Sequence, residues 1–256
     1  MPERPVQKKK RRRLGLRKPG GRRAGIARPL ESLVFLLPLL LFFELGSILT
    51  DPSGALQRQE RVVAYHLLRE TLRYFGNSAL WMPALAVVVI LVSTHIVSRR
   101  PWRVNIRSVL WMYVESIGLA LPMILASSLV LLAGRSGTSP AAGRLIDEAV
   151  LGVGAGIYEE LVFRLILISV VMMLGCDLLK MPTAPVAVFA IMLSAVLFAS
   201  HHHPPLGTEP FSAGRFLFRF LAGGYLGAIF YYRGYGPAAG THVAYNILAM
   251  LIAALA

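Results

Sequence analysis

A glutamate pair, an arginine four residues on, a run of histidines and a spaced His/Asn pair stand inside the apolar parts of this sequence, where ionisable residues are costly. In Tyr158-Glu159-Glu160-Leu161-Val162-Phe163-Arg164, Arg164 follows Glu160 by four residues, on one helical face, where the two can form a charge pair. Glu159 points about 100° away by helix geometry. The spacing suggests a division of labour, with Glu160 neutralised by Arg164 and Glu159 free to act as a base. In Phe198-Ala199-Ser200-His201-His202-His203 the three histidines end an apolar run just before Pro204-Pro205. Three adjacent residues on a helix cannot all face one point, so at most one or two serve a single site, and a solvated helix end explains the run equally well. In His242-Val243-Ala244-Tyr245-Asn246, His and Asn stand on one face at i and i+4. Two donors at that spacing suit a developing oxyanion, although hydrogen bonds to a neighbouring helix would account for either one alone. Carboxylates, a histidine and a His/Asn pair on three separate runs together match the inventory of a water-activating site.

Membrane-spanning helices are the elements that must position these residues. The 256 residues are 55% hydrophobic and only 16% charged, with a mean hydropathy of +0.60, too apolar for a water-soluble domain of this size. The net charge of +14 is concentrated in an N-terminal arm, residues 1–29, expected to be disordered, cytoplasmic and drawn to anionic lipid rather than to nucleic acid. The single cysteine, Cys176, lies in an apolar run and supports neither a disulfide framework nor a CxxC metal site. The first apolar run is read as a retained signal anchor, because the basic arm is long and no small-x-small cleavage site follows.

Spans of roughly 20 apolar residues are expected at about 30–50, 79–97, 109–133, 184–200, 216–232 and 238–256, with an interfacial amphipathic stretch at 58–73. Arg99, Arg100, Arg103 and Arg107 follow the second span and set that loop on the side of the basic arm. Between about 145 and 180 the chain stays apolar for more than one crossing, as one long helix or as two broken near Gly152-Val153-Gly154-Ala155-Gly156. Glycines at alternate positions are poor helix formers but let membrane helices approach closely, and close packing is the preferred reading. The fold class is therefore all-α, a polytopic transmembrane bundle of about seven to eight helices in a single domain over 30–256. A simple count of hairpins sets Glu159 and His202 nearer one membrane face and His242 nearer the other, unless a broken or tilted helix brings all of them together at mid-membrane.

No HExxH, GxSxG or Gly-rich phosphate loop is present, so the zinc-protease, serine-hydrolase and nucleotide-binding motifs are missing. Glu159-Glu160 with Arg164, Phe198 with His202, and His242 with Asn246 resemble the EExxxR, FxxxH and HxxxN signatures of the CPBP family, which contains the CAAX prenyl endopeptidases and the Abi-type bacteriocin-processing and self-immunity proteins. The resemblance runs from about Tyr158 to Asn246, with the protease-like core at about 145–256. It implies a helical intramembrane endopeptidase acting on a membrane-associated or prenylated protein or peptide. Glu159 and His202 would be the water-activating pair, His242 and Asn246 the oxyanion donors, and Glu160, Arg164 and Phe198 supporting residues. The family leaves the cofactor open: none, or a divalent metal such as zinc with Glu159, His202 and His242 as candidate ligands. The implied localisation is integral and multi-pass, in the inner membrane if the chain is bacterial. The alternatives are a non-catalytic scaffold or self-immunity protein on the same fold and, third, a metal or proton transporter, for which no internal repeat speaks.

Overall fold

A computed structural model of the chain describes residues 28–50, 64–65, 68, 71, 82–133, 145–207 and 209–255. Residues 1–27 of the basic arm lie outside the described residues, as does most of the expected interfacial stretch. Of that stretch, Ala64 and Tyr65 are buried, and the Tyr65 ring lies 5.4 Å from that of Phe43 and 5.0 Å from that of Tyr158.

Seven helices make up the described fold: α1 (Pro29–Thr50), α2 (Met82–Ser98), α3 (Ile106–Ala133), α4 (Leu145–Leu178), α5 (Thr183–Ser200), α6 (Ala213–Arg233) and α7 (Tyr235–Leu255). All of them except α2 and α6 are long and apolar enough to cross a membrane. Helix α2 is apolar but shorter, with 17 residues. Helix α6 carries Arg215, Arg219 and Arg233. The protein is thus an all-helical, multi-pass integral membrane protein.

The long apolar stretch forms one unbroken helix. Helix α4 has 34 residues, about 51 Å at 1.5 Å per residue, against a hydrocarbon core of about 30 Å, so it must tilt or protrude. Its glycines do not break it; they seat its neighbours. A Cβ on Gly156 would stand 2.7 Å from the backbone nitrogen of Val243, and one on Gly152 would stand 3.1 Å from Asn246 Cβ, so α7 runs antiparallel against the first half of α4. Gly46 of α1 faces Val150 and Gly154 of α4 faces the ring of Phe43, which makes α1 and α4 antiparallel as well.

Beyond Glu160 the hydrogen bonding of α4 widens into π-helical turns at Leu161–Ile168 and Met173–Leu178. After a short turn, the 18 residues of α5 run back along this second half, and Ser194 Oγ donates to the carbonyl of Phe163 at 2.8 Å. The C-terminal end of α5 therefore arrives beside Glu159 and Glu160, where the first turns of α7 also lie. That geometry corrects the hairpin count: the carboxylates sit near the middle of a helix too long for one membrane crossing, and α5 and α7 reach them from opposite halves. A single residue, Gly234 at φ 98°, joins α6 to α7 in a backbone conformation that an L side chain would strain.

The contact at Gly156 is backbone against backbone and cannot relax through a rotamer. Gly156→Ala is expected to destabilise the fold by about 1–3 kcal/mol, read as a loss of thermal stability in detergent, and Gly118→Ala, where the new methyl meets nothing within 4 Å, is expected to leave stability unchanged.

Candidate active site

Glu160 is fully buried and its Oε1 takes two partners. Arg164 Nη1 lies 2.9 Å away, one helical turn further along α4, and His242 Nδ1 from α7 lies 2.9 Å away. The predicted Glu160–Arg164 pair is therefore present. Arg164 also donates from Nη2 to the carbonyl of Gly223 on α6 at 3.3 Å, and its guanidinium carbon lies 4.2 Å from the centre of the Phe198 ring on α5. Gly223 is what lets α6 come so near, since a Cβ there would stand 3.0 Å from the Cα of Ala195.

Glu159 points to the other side, towards imidazoles. Its Oε1 lies 3.5 Å from His201 Nε2 and 4.0 Å from His202 Nε2, and its Oε2 lies 3.8 Å from His242 Nε2. The two adjacent glutamates face different sides, Glu160 towards Arg164 and Glu159 towards His201 and His202, and they share one partner. His242 faces both, with Nδ1 on Glu160 and Nε2 on Glu159.

Phe198 contributes through its carbonyl as well as its ring. That oxygen accepts from Nδ1 of His201 at 2.6 Å and from Nδ1 of His202 at 2.9 Å. Both Nε2 atoms are thereby turned to Glu159. His203 faces away, with its Nδ1 on the carbonyl of Glu209 at 3.0 Å and its ring beside Phe211 and Phe216.

Asn246 is brought to the same helix pair but is tied to α4, where its Nδ2 donates to the carbonyl of Gly152 at 2.9 Å. One amide hydrogen of Asn246 is thus used, and the other is left. His201 is the residue whose part the sequence reading did not isolate. Helix spacing carries the missing signal: relative to Phe198, His201 and His202 stand at i+3 and i+4, on one face, whereas His203 at i+5 does not.

A buried Glu/Arg/His/Asn cluster shared by four helices of a membrane bundle defines this protein as one with an intramembrane polar centre of the kind that marks function. Residues 142–248 match the type II CAAX prenyl endopeptidase Rce1-like family. This segment holds every residue of the site described above, and over it the chain is similar to the CAAX-type intramembrane proteases. No curated protein and no solved structure matches the chain.

Removing Arg164 would leave the fully buried Glu160 carboxylate with His242 alone of the two partners described. Arg164→Ala is expected to cost about 3–5 kcal/mol, and Arg164→Lys to recover only part of it, because a lysine cannot reproduce the guanidinium contacts to Gly223 and Phe198; chemical or thermal unfolding in detergent reads both.

Proposed function

We propose that the protein is an intramembrane endopeptidase that hydrolyses peptide bonds of a membrane-associated or prenylated protein, with Glu159 and His202 activating the attacking water. The observation that carries this reading is the buried Glu159 carboxylate with three imidazole Nε2 atoms turned towards it at 3.5–4.0 Å. Glu159 takes a proton from water held against His202, and the hydroxide attacks the scissile carbonyl carbon. Enclosure among helices supports the step by keeping competing water out.

His242 has a second part to play. Its Nδ1 hydrogen goes to Glu160, so its neutral ring offers a lone pair at Nε2, opposite Glu159 Oε2. A proton passed from Glu159 to that nitrogen turns His242 into a donor, and together with the free amide hydrogen of Asn246 it stabilises the oxyanion of the tetrahedral intermediate. Collapse of the intermediate returns the proton to the leaving amine. Glu160 and Arg164 hold His242 in its tautomer and orientation, as a carboxylate behind a catalytic imidazole does elsewhere.

The test is cleavage of a prenylated CAAX-type peptide by the purified protein, with mass spectrometry of the products. Glu159→Ala and His202→Ala are each expected to lower the rate by at least about 10²-fold while the protein elutes and melts as the wild type does. Undiminished cleavage by either variant would remove that residue from the mechanism. Substrate trapping by Glu159→Gln in membranes, followed by peptide identification, names the natural substrate. A cellular phenotype fully restored by Glu159→Gln would instead mark a non-catalytic role.

A further inference from the structure

Arg219 is a charge that the hydrolytic reading leaves unused, and the packing of α6 sets it beside the histidine turn. Arg219, Gly223 and Gly227 share one face of α6 at four-residue spacing. A Cβ on Gly227 would meet Ile191 of α5, and one on Gly223 would meet Ala195. Each step of four down α6 is therefore a step of four up α5, and the next brings Arg219 level with Ala199, three residues before His202. On the α7 side, the ring of Phe218 lies 5.9 Å from that of Tyr245, the neighbour of Asn246. The Arg219 charge is close enough to be felt at both His202 and Tyr245. It belongs to the rim of the cluster, because its side chain is 22% exposed where that of Glu159 is 6%.

The partner of Arg219 is a loop carboxylate that has to serve two guanidiniums. Glu209 Oε1 lies 2.9 Å from Arg215 Nη1, and Glu209 Oε2 pairs with Arg219 Nη1. Arg215 also donates to the carbonyl of Pro210 at 3.3 Å, whereas Glu209 is the one ion-pair partner of Arg219 among the described residues. Two arginines against one glutamate leave a positive charge in surplus. The backbone of Glu209 is fixed to the histidine run: its N–H donates to the carbonyl of His202 at 3.2 Å, and its carbonyl accepts from His203 Nδ1 at 3.0 Å. Gly207 lets the loop fold back this tightly, since a Cβ there would stand 2.2 Å from the His202 carbonyl oxygen. The Glu209 side chain is 26% exposed, and an ion pair open to solvent is worth only about 0–1 kcal/mol. Another carboxylate can therefore displace it at little cost.

We propose that Arg219 is a specificity-determining residue at the rim of this site, where its guanidinium binds a carboxylate of the peptide substrate in exchange for the side chain of Glu209. A guanidinium takes a carboxylate through two parallel N–H donors, which fixes the direction of the bound group as well as attracting it. The carboxylate comes from the C-terminus of the peptide or from an acidic side chain, and the two sources present the same two oxygens. Glu209 holds the arginine in place while the site is empty, and the backbone bonds of the loop keep that glutamate at hand when the product leaves. The proposal rests on the peptidase reading, because it takes the ligand to be a peptide.

Binding, not turnover, is what the test reads. Full-length Glu159→Gln protein in detergent is titrated with a fluorescent prenylated CAAX-type peptide in three forms: the free acid, the C-terminal amide, and the amide with glutamate as its last residue. The free acid is expected to bind at least about 10-fold more tightly than the amide. Adding Arg219→Gln is expected to abolish that preference, and Arg219→Lys to keep part of it. Glu209→Gln removes the competing carboxylate and is expected to tighten the free acid roughly threefold without changing the amide. A purely structural ion pair would behave otherwise, since losing either partner would then weaken all three peptides alike. Tight binding of the glutamate amide extends the site to acidic side chains, and weak binding confines it to the C-terminus. No binding of the free acid, equal binding of acid and amide, or an equal loss of both on Arg219→Gln overturns the proposal. Cleavage by protein with Glu159 intact separates the two readings: preference for the acid without cleavage keeps the carboxylate site and removes the peptidase, whereas cleavage without that preference does the reverse.

Discussion

A carboxylate with no access to water must be answered entirely by protein, and the architecture is organised around answering Glu160. Its partners come from two directions, Arg164 from further along α4 and His242 from α7. Arg164, itself fully buried, also meets the carbonyl of Gly223 on α6 and the face of Phe198 on α5, while its Nε makes no hydrogen bond among the described residues. One buried charge therefore sets the register of four helices. Slipping any of them by a residue would leave a charge facing hydrocarbon, a far larger cost than the loss of some apolar contact. Neighbouring Glu159 inherits this rigidity, because the backbone that holds it is the backbone that holds Glu160.

Close approach of the helices makes that arrangement possible. Lipid tails are as apolar as leucine, so apolar burial alone does not bring membrane helices together, and packing and polar contacts must. Glycine occurs where the polar network needs two backbones adjacent: Gly156 beneath Val243, one residue from His242, Gly152 beneath Asn246, and Gly223 beneath Ala195. The same glycine whose missing side chain admits Asn246 offers its carbonyl to the Asn246 amide.

Much of this was legible in the sequence because membrane spans and intramembrane charges are strong signals. The bounds of α1, α3, α5 and α7 follow from apolar run lengths, and the Glu160–Arg164 pair follows from spacing alone. What was not legible depends on three dimensions. The hairpin count failed because it assumed that each helix fits one membrane crossing, whereas α4 exceeds that length and meets two other helices at its middle. His201 could not be separated from His202 by residue type; spacing from Phe198 sets both apart from His203, and the structure gives the reason, since both rings meet the Phe198 carbonyl. The oxyanion pairing of His242 with Asn246 was expected from their shared face, yet each is first committed to α4, one to Glu160 and the other to Gly152. Residues 1–27 of the basic arm and most of the stretch at 58–73 lie outside the described residues, so those expectations stand as they were.

The π-helical turns of α4 follow directly after the glutamate pair. In a regular α-helix every side chain is fixed in angle relative to every other, so a face suited to α7 upstream would dictate the face shown to α5 downstream. Wider turns take up extra residues within a continuous helix and reset that angle. The first half of α4 can thus present its carboxylates to α7, while the second half presents the Phe163 carbonyl and Arg164 to α5 and α6. Mechanically the two halves behave as separately aimed elements on one shaft, and a change in chain length between Leu161 and Ile168 would re-aim the α5 side while leaving the glutamates where they are.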